Sequence, residues 1–89
     1  MYEIEESAFY KVVEAFIKES KNKEYANYSS SKEFAKRIID DFDRFKKRDE
    51  KIIEYYKNLH IVDYPFEDFE NFYDKLEKLI EEIKQIYSL

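Results

Sequence analysis

Residues 31–60 read SKEFAKRIIDDFDRFKKRDEKIIEYYKNLH, and this stretch decides the fold. Its apolar positions follow one another in steps of four, three, seven, four and three residues, the heptad rhythm of a helix with one buried face. The residues at these positions are Ile38, Phe42, Phe45, Ile52, Tyr56 and Leu59. The pattern predicts helix throughout the stretch, with Asp49 in the one heptad position that is not apolar.

Two interpretations of residues 31–60 are open. Lys, Arg and Glu are good helix formers and no Gly or Pro lies among them, so we favour one continuous helix, about 45 Å long. The alternative is a break in the charged run at 47–49, where Asp49 would cap a new helix ahead of Ile52. At the other end, Ser30 and Glu33 have the spacing of a capping box, which predicts a helix start near residue 31.

Helices are predicted on both sides of this stretch. Residues 3–19 carry an apolar face at helical spacing, formed by Phe9, Val12, Val13, Phe16 and Ile17. Pro65 opens a last helix over 65–88, whose apolar stripe is wide enough to contact two neighbours. The Ser- and Asn-rich residues 20–30 between the first two helices are predicted to form a flexible loop with room for one helical turn.

The composition limits the fold class. A chain of 89 residues is one domain, residues 1–89. It contains no Gly, which phosphate-binding loops, dinucleotide fingerprints and tight hairpins require where the backbone takes a positive φ or approaches a ligand. The sequence therefore predicts an all-α fold, a small antiparallel helical bundle of three to four helices.

Residues able to carry chemistry are few. His60 is the sole histidine and there is no cysteine, so neither a zinc site nor a Ser-His-Asp arrangement is indicated. The carboxylates of Asp40, Asp41 and Asp43 lack the Gly and the Glu of a calcium loop. We expect no enzyme activity, cofactor or metal. The absence of cysteine favours the cytoplasm, and no apolar run is long enough to cross a membrane.

An acidic, aromatic run lies within residues 61–74, where five acids alternate with aromatic residues and no base occurs. We call the following residues the predicted acidic surface: Asp63, Tyr64, Glu67, Asp68, Glu70, Tyr73 and Asp74. One interpretation is a packed aromatic core with acids favoured by the helix dipole. The other is a binding surface, in which carboxylates steer docking to a basic protein partner and aromatic side chains supply affinity. The acids at 3–6 form an additional candidate face.

A basic cluster at 44–51 contains five bases but also Asp49 and Glu50. The chain as a whole has a net charge of -5 and a pI of about 5.0. Nucleic-acid binders usually show a basic domain or stripe, so direct contact with nucleic acid is not expected.

In size, acidity and helical composition the chain resembles small phage, plasmid and bacterial proteins. They include anti-CRISPR inhibitors of host nucleases, antitoxins and helical bacteriocin-immunity proteins. The resemblance covers no motif, so no functional residue is carried over. Our first hypothesis is a stoichiometric inhibitor that docks the predicted acidic surface on a basic, nucleic-acid-handling partner. The alternatives are a bacteriocin-immunity-like bundle and a structural module that forms homodimers.

Overall fold

The computed structural model describes residues 4–59 and 72–89, with side chains described from residue 8 onward. Within these residues there are five helices and no strand. The helices are α1 (Ile4–Ser20), α2 (Lys23–Ala26), α3 (Ser29–Lys46), α4 (Glu50–Lys57) and α5 (Phe72–Tyr87). The predicted all-α fold is confirmed. The described helices outnumber the three to four expected because the predicted long helix is divided into α3 and α4 and because residues 23–26 form a helical turn.

Residues 47–49 break the long helix that the sequence favoured. Arg48 has a φ of 57°, in the left-handed region that ends a helix. Asp49 then caps α4: its Oδ1 accepts the Lys51 backbone N–H at 2.9 Å, and its Oδ2 accepts Arg44 Nε at 2.9 Å. The prediction of one continuous helix is therefore wrong, and the alternative, a break with Asp49 as the cap of a new helix, is confirmed. The break turns α4 back so that Ile52 and Tyr56 join the same core as α1.

Asp49→Ala is expected to lower the melting temperature (Tm) by about 4–8 °C, because one N-cap is lost in a domain of this size. Circular dichroism during heating measures the shift. Asp43→Ala is the matched control: it removes an exposed ion pair to Lys47 at 2.9 Å but no cap. Its shift should be about half as large or less. Equal shifts for the two variants would contradict a capping role for Asp49.

The start of α3 differs from the predicted capping box. Tyr28 occupies the N-cap with extended backbone and makes no side-chain capping bond, and the helix begins at Ser29, within two residues of the predicted start. The Tyr28 carbonyl accepts the N–H groups of Ser31 and Lys32 at 3.1 and 3.3 Å. Ser31 instead donates its hydroxyl to the Tyr25 carbonyl at 2.7 Å, tying α3 to α2. The predicted pairing of Ser30 with Glu33 is therefore wrong.

The residues predicted as a flexible loop contain α2. Asn22 caps this short helix, and its Oδ1 accepts the backbone N–H groups of Glu24 and Tyr25 at 2.9 and 3.5 Å. The helical turn for which the sequence left room is thus present at Lys23–Ala26. The flexibility of residues 20–30 stays a prediction.

The core lies where α1 meets α3, α4 and α5. Phe9 of α1 stacks on Phe45 of α3 with ring centroids 4.9 Å apart, and it meets Tyr56 of α4 edge-on at the same distance. Five of the six heptad residues are buried, and Leu59 is half-buried. Because this face is used within the molecule, it presents no coiled-coil seam to a second copy. Formation of a homodimer stays a prediction, and the heptad pattern no longer supports it.

Helix α5 packs against both α1 and α3, which confirms the expectation of two neighbours. Its buried residues are Phe72, Leu76, Ile80, Ile83 and Tyr87. The Tyr87 hydroxyl lies 2.7 Å from Ser20 Oγ, a buried hydrogen bond that joins the ends of α1 and α5. The predicted helix start at Pro65, and His60 before it, lie outside the described residues.

Candidate functional site

The predicted acidic surface falls largely outside the described residues. Its members beyond them are Asp63, Tyr64, Glu67, Asp68 and Glu70. Tyr73 and Asp74 lie at the described start of α5, where Asp74 is exposed and Tyr73 is half-buried with its ring edge-on to Phe72. These two members of the predicted acidic surface are consecutive in α5, and both are accessible at the surface. The side chains of residues 3–6 are likewise outside the described set.

Beyond Asp74, α5 carries charges of both signs. Its acids are Asp74, Glu77, Glu81 and Glu82, and its bases are Lys75, Lys78 and Lys84. Lys84 Nζ lies 3.4 Å from Glu81 Oε1, and Lys21 Nζ of the α1–α2 turn lies 3.9 Å from Glu82 Oε1. The acid-only character of the predicted surface therefore does not continue along the helix.

A cleft of about 290 Å³ opens between α1, α3 and α4, at residues that the sequence did not single out as a site. We call it the Asp41 cleft. Its apolar walls are Val12, Phe34, Ile38, Tyr55 and Leu59, and its polar members are Arg37, Asp41 and Tyr56. Phe34 and Tyr55 are 39% and 44% exposed, unusual for large apolar side chains beside a core. This volume is at the lower limit of about 300–1,000 Å³ found for ligand pockets, so it suits a small group.

Asp41 is a buried carboxylate with unused hydrogen-bonding capacity. It is 2% exposed, and its Oδ2 accepts the Tyr56 hydroxyl at 2.8 Å. Arg37 Nε is 3.9 Å from the same oxygen, which is an ion pair but too long for a hydrogen bond. Within residues 4–59 and 72–89, Oδ1 has no hydrogen-bond partner. This oxygen is therefore available to a hydrogen-bond donor that enters the cleft.

Burial raises the pKa of Asp41, and the Tyr56 hydrogen bond and the Arg37 charge only partly offset this effect. The pKa of Tyr56 is raised as well, first by its own burial and then by the hydrogen bond to Asp41. Tyr56 therefore remains a phenol and a donor at any physiological pH. One carboxylate oxygen of this cleft-lining residue, Oδ1, thus has no donor among the described residues.

Arg37 stands at the mouth of the cleft with its guanidinium over the Tyr55 ring, 5.2 Å from the centroid. Its side chain is 54% exposed. In the described part of the chain it makes no hydrogen bond. A guanidinium placed over an aromatic ring can still offer N–H groups to a carboxylate.

A second cleft of about 330 Å³ adjoins the first along α1, and we call it the Ala15 cleft. The two clefts share Val12 and Phe34. The other residues of the Ala15 cleft are Lys11, Ala15, Phe16, Glu19 and Tyr25. Together the two clefts make an apolar groove with charged residues at its rim.

The basic cluster at 44–51 is largely engaged within the molecule. Arg44 pairs with Asp49, Lys47 pairs with Asp43, and Lys46 lies over the Phe42 ring at 4.7 Å. Asp49 and Asp43 therefore neutralise two of the five bases. This arrangement is typical of a helix end with local ion pairs and gives no basic stripe.

The sequence held a signal for Asp41 that composition alone did not reveal. Asp41 lies three residues after Ile38 and four before Phe45, which places it on the buried face of α3. Its neighbours Asp40 and Asp43 are exposed, so the three carboxylates do not converge. A lone acid on an apolar helical face is the pattern that identifies a buried polar group.

Within the described ranges no group of three or more His, Cys, Asp or Glu is placed to hold a metal ion. None of the described helices is both long and apolar enough to cross a bilayer. No protein-family model matches the chain, and comparison with curated proteins and with solved structures gives no significant match.

Proposed function

We propose that the protein is a binding module that acts as a stoichiometric inhibitor of a basic, nucleic-acid-handling protein. The observation that carries this proposal is the acid-only run with interleaved aromatic residues at 61–74. In such a surface the carboxylates raise the association rate and fix the orientation, while aromatic anchors supply most of the affinity.

The described residues support the proposal at one end of the run. Asp74 is exposed and Tyr73 is partly exposed, so these two side chains are accessible to a partner. The charges farther along α5 alternate in sign and would not extend the contact. We therefore centre the proposed surface on residues 63–74.

The proposal assigns no catalytic step to the chain and places it in the cytoplasm. A bacteriocin-immunity-like bundle is the alternative with the same need for a protein-binding surface. Resistance to a bacteriocin on expression in a sensitive cell would favour that alternative.

Simultaneous charge reversal of Glu67, Glu70 and Asp74 to Lys is expected to weaken partner binding by at least about 100-fold, because three attractive charge pairs become repulsive. The partner is first identified by affinity capture and cross-linking, and its binding to nucleic acid is then titrated with the protein. Wild-type protein should abolish that binding at a molar ratio near one. The association rate should fall as salt is added.

The matched control reverses three exposed acids elsewhere on the surface, Glu24, Glu33 and Glu54. It changes the net charge by the same amount, so a loss confined to the first variant assigns the effect to the proposed surface. Equal binding by both variants and wild type, or a captured partner that still binds nucleic acid normally, would rule the proposal out.

A further inference from the structure

We propose that the groove formed by the Asp41 and Ala15 clefts is a second docking surface, which binds a partner segment by inserting a tryptophan side chain beside Asp41. This inference is independent of the predicted acidic surface, because it uses none of the residues at 61–74.

Asp41 can accept a further hydrogen bond. Its side chain is buried, it lines the cleft, and its Oδ1 accepts no hydrogen bond within the described residues. A ligand group that bonds to Oδ1 must donate a hydrogen bond from inside a largely apolar cleft. A neutral N–H or O–H on an otherwise apolar body meets this requirement without adding a second unpaired polar atom.

The shape and charge of the Asp41 cleft favour a neutral aromatic donor. Phe34, Tyr55 and Tyr56 present rings to a space large enough for one aromatic side chain. Arg37 at the mouth disfavours a lysine or arginine as the donor, since two cations would lie near one carboxylate. The indole of tryptophan has a large apolar body and an N–H that only donates, so it fits the cleft better than a phenol does.

The groove is long enough to take more than one side chain. A single ring would fill the Asp41 cleft alone, but the Ala15 cleft lies beside it, with Val12 and Phe34 lining both. A polypeptide segment can place an apolar side chain there and a carboxylate on the open fork of Arg37. This charge complementarity and the joined clefts favour a protein segment over a small aromatic molecule.

The test exploits the absence of Trp from the chain, which makes indole fluorescence a signal from the probe alone. N-acetyl-tryptophan should bind with a Kd of roughly 0.1–1 mM, shift its emission to the blue, and perturb amide NMR signals in α1, α3 and α4. Its analogue methylated on the indole nitrogen should bind about tenfold more weakly, since the hydrogen bond to a charged group is lost. N-acetyl-tryptophan amide, without the carboxylate, should also bind more weakly.

Variants assign these preferences to residues. Asp41→Leu with Tyr56→Phe replaces both hydrogen-bonding partners by apolar groups, which folded proteins tolerate. In this double variant the indole and its methylated analogue should bind equally. Arg37→Gln should abolish the preference for the carboxylate and leave the preference for the indole N–H unchanged. Lys36→Gln, one residue earlier and paired with Glu33 at 3.7 Å, is the matched control and should change neither preference.

A short peptide separates a docking surface from a small-molecule pocket. A peptide with Trp, an adjacent Glu, and Leu three or four residues away should bind at least about tenfold more tightly than N-acetyl-tryptophan, because it also fills the Ala15 cleft. Equal affinity of the two would assign the cleft to a small aromatic molecule and overturn the proposal. So would tighter binding of N-acetyl-lysine, no binding of any indole probe, or a dimer of the free protein that N-acetyl-tryptophan dissociates.

Discussion

Phe9→Ala is expected to lower the free energy of unfolding by about 3–5 kcal/mol, the usual loss for a buried phenylalanine. Phe9 has no exposed surface and its ring contacts helices α3 and α4 at once, through Phe42, Phe45 and Tyr56. A domain of this length has a total stability of about 4–13 kcal/mol. The substitution therefore removes about a quarter of the stability or more.

Urea denaturation followed by circular dichroism measures this loss. Phe9→Leu, which keeps most of the volume, should lose less and gives a folded variant if Phe9→Ala does not fold. Tyr28→Ala is the matched control, because Tyr28 is 58% exposed and its removal should change the stability by less than about 0.5 kcal/mol. A loss below 1 kcal/mol for Phe9→Ala would contradict the aromatic packing described above.

Tyr56→Phe is expected to lower the free energy of unfolding by about 1.5–3 kcal/mol at neutral pH, although it removes one oxygen atom. The Tyr56 hydroxyl is the hydrogen-bond donor to the buried Asp41 carboxylate among the described residues. Without it, the carboxylate keeps only the 3.9 Å contact to Arg37. Tyr55→Phe is the matched control: it removes the same atom from the adjacent, exposed tyrosine and should have little effect.

A double-mutant cycle with Asp41→Asn measures the coupling between the two side chains, which should be about 1–3 kcal/mol. The cycle isolates their interaction from changes in packing. A coupling near zero, together with equal stability of Tyr55→Phe and Tyr56→Phe, would show that the hydrogen bond does not form.

The Asp41–Tyr56 pair also predicts how the loss depends on pH. Burial raises the pKa of Asp41 in the folded protein above its ordinary value of 3.8. Below that value the carboxyl is neutral in both states, and its full contribution to stability is present. As pH rises through the folded pKa, the unfolded chain ionises more readily and stability is lost. Tyr56→Phe removes an interaction that lowers this pKa, so its destabilisation should grow as pH rises from about 4 to 7.

The sequence predicted the fold well where apolar spacing decides the structure. The faces of α1, α3 and α5 and the termination of α5 near residue 87 follow from helical periodicity, which local sequence displays directly. The break at Arg48 was not favoured, because Lys, Arg and Glu all form helix readily. It depends on the Asp49 cap, its bond to Arg44, and the packing of α4 against α1, of which only the first is local.

The candidate site was harder to predict for the same reason. Asp41 was considered as one of three nearby carboxylates, and its burial depends on Tyr56, which lies fifteen residues away beyond the break. Tyr55 is 44% exposed beside this buried pair. Its position over the mouth of a cleft required the turn between α3 and α4, which periodicity does not specify.

The contacts of α1 also determine when the chain can fold during its synthesis. Tyr10 meets Phe72, and Phe16 stacks on Tyr87, so the first helix is completed by the last one described. At about 5–20 residues per second, roughly 3–14 s separate the translation of Ile4 from that of Phe72. Throughout this interval the part of α1 that packs on α5 lacks its partners, so the nascent chain presents Tyr10 and Phe16 to chaperones and proteases.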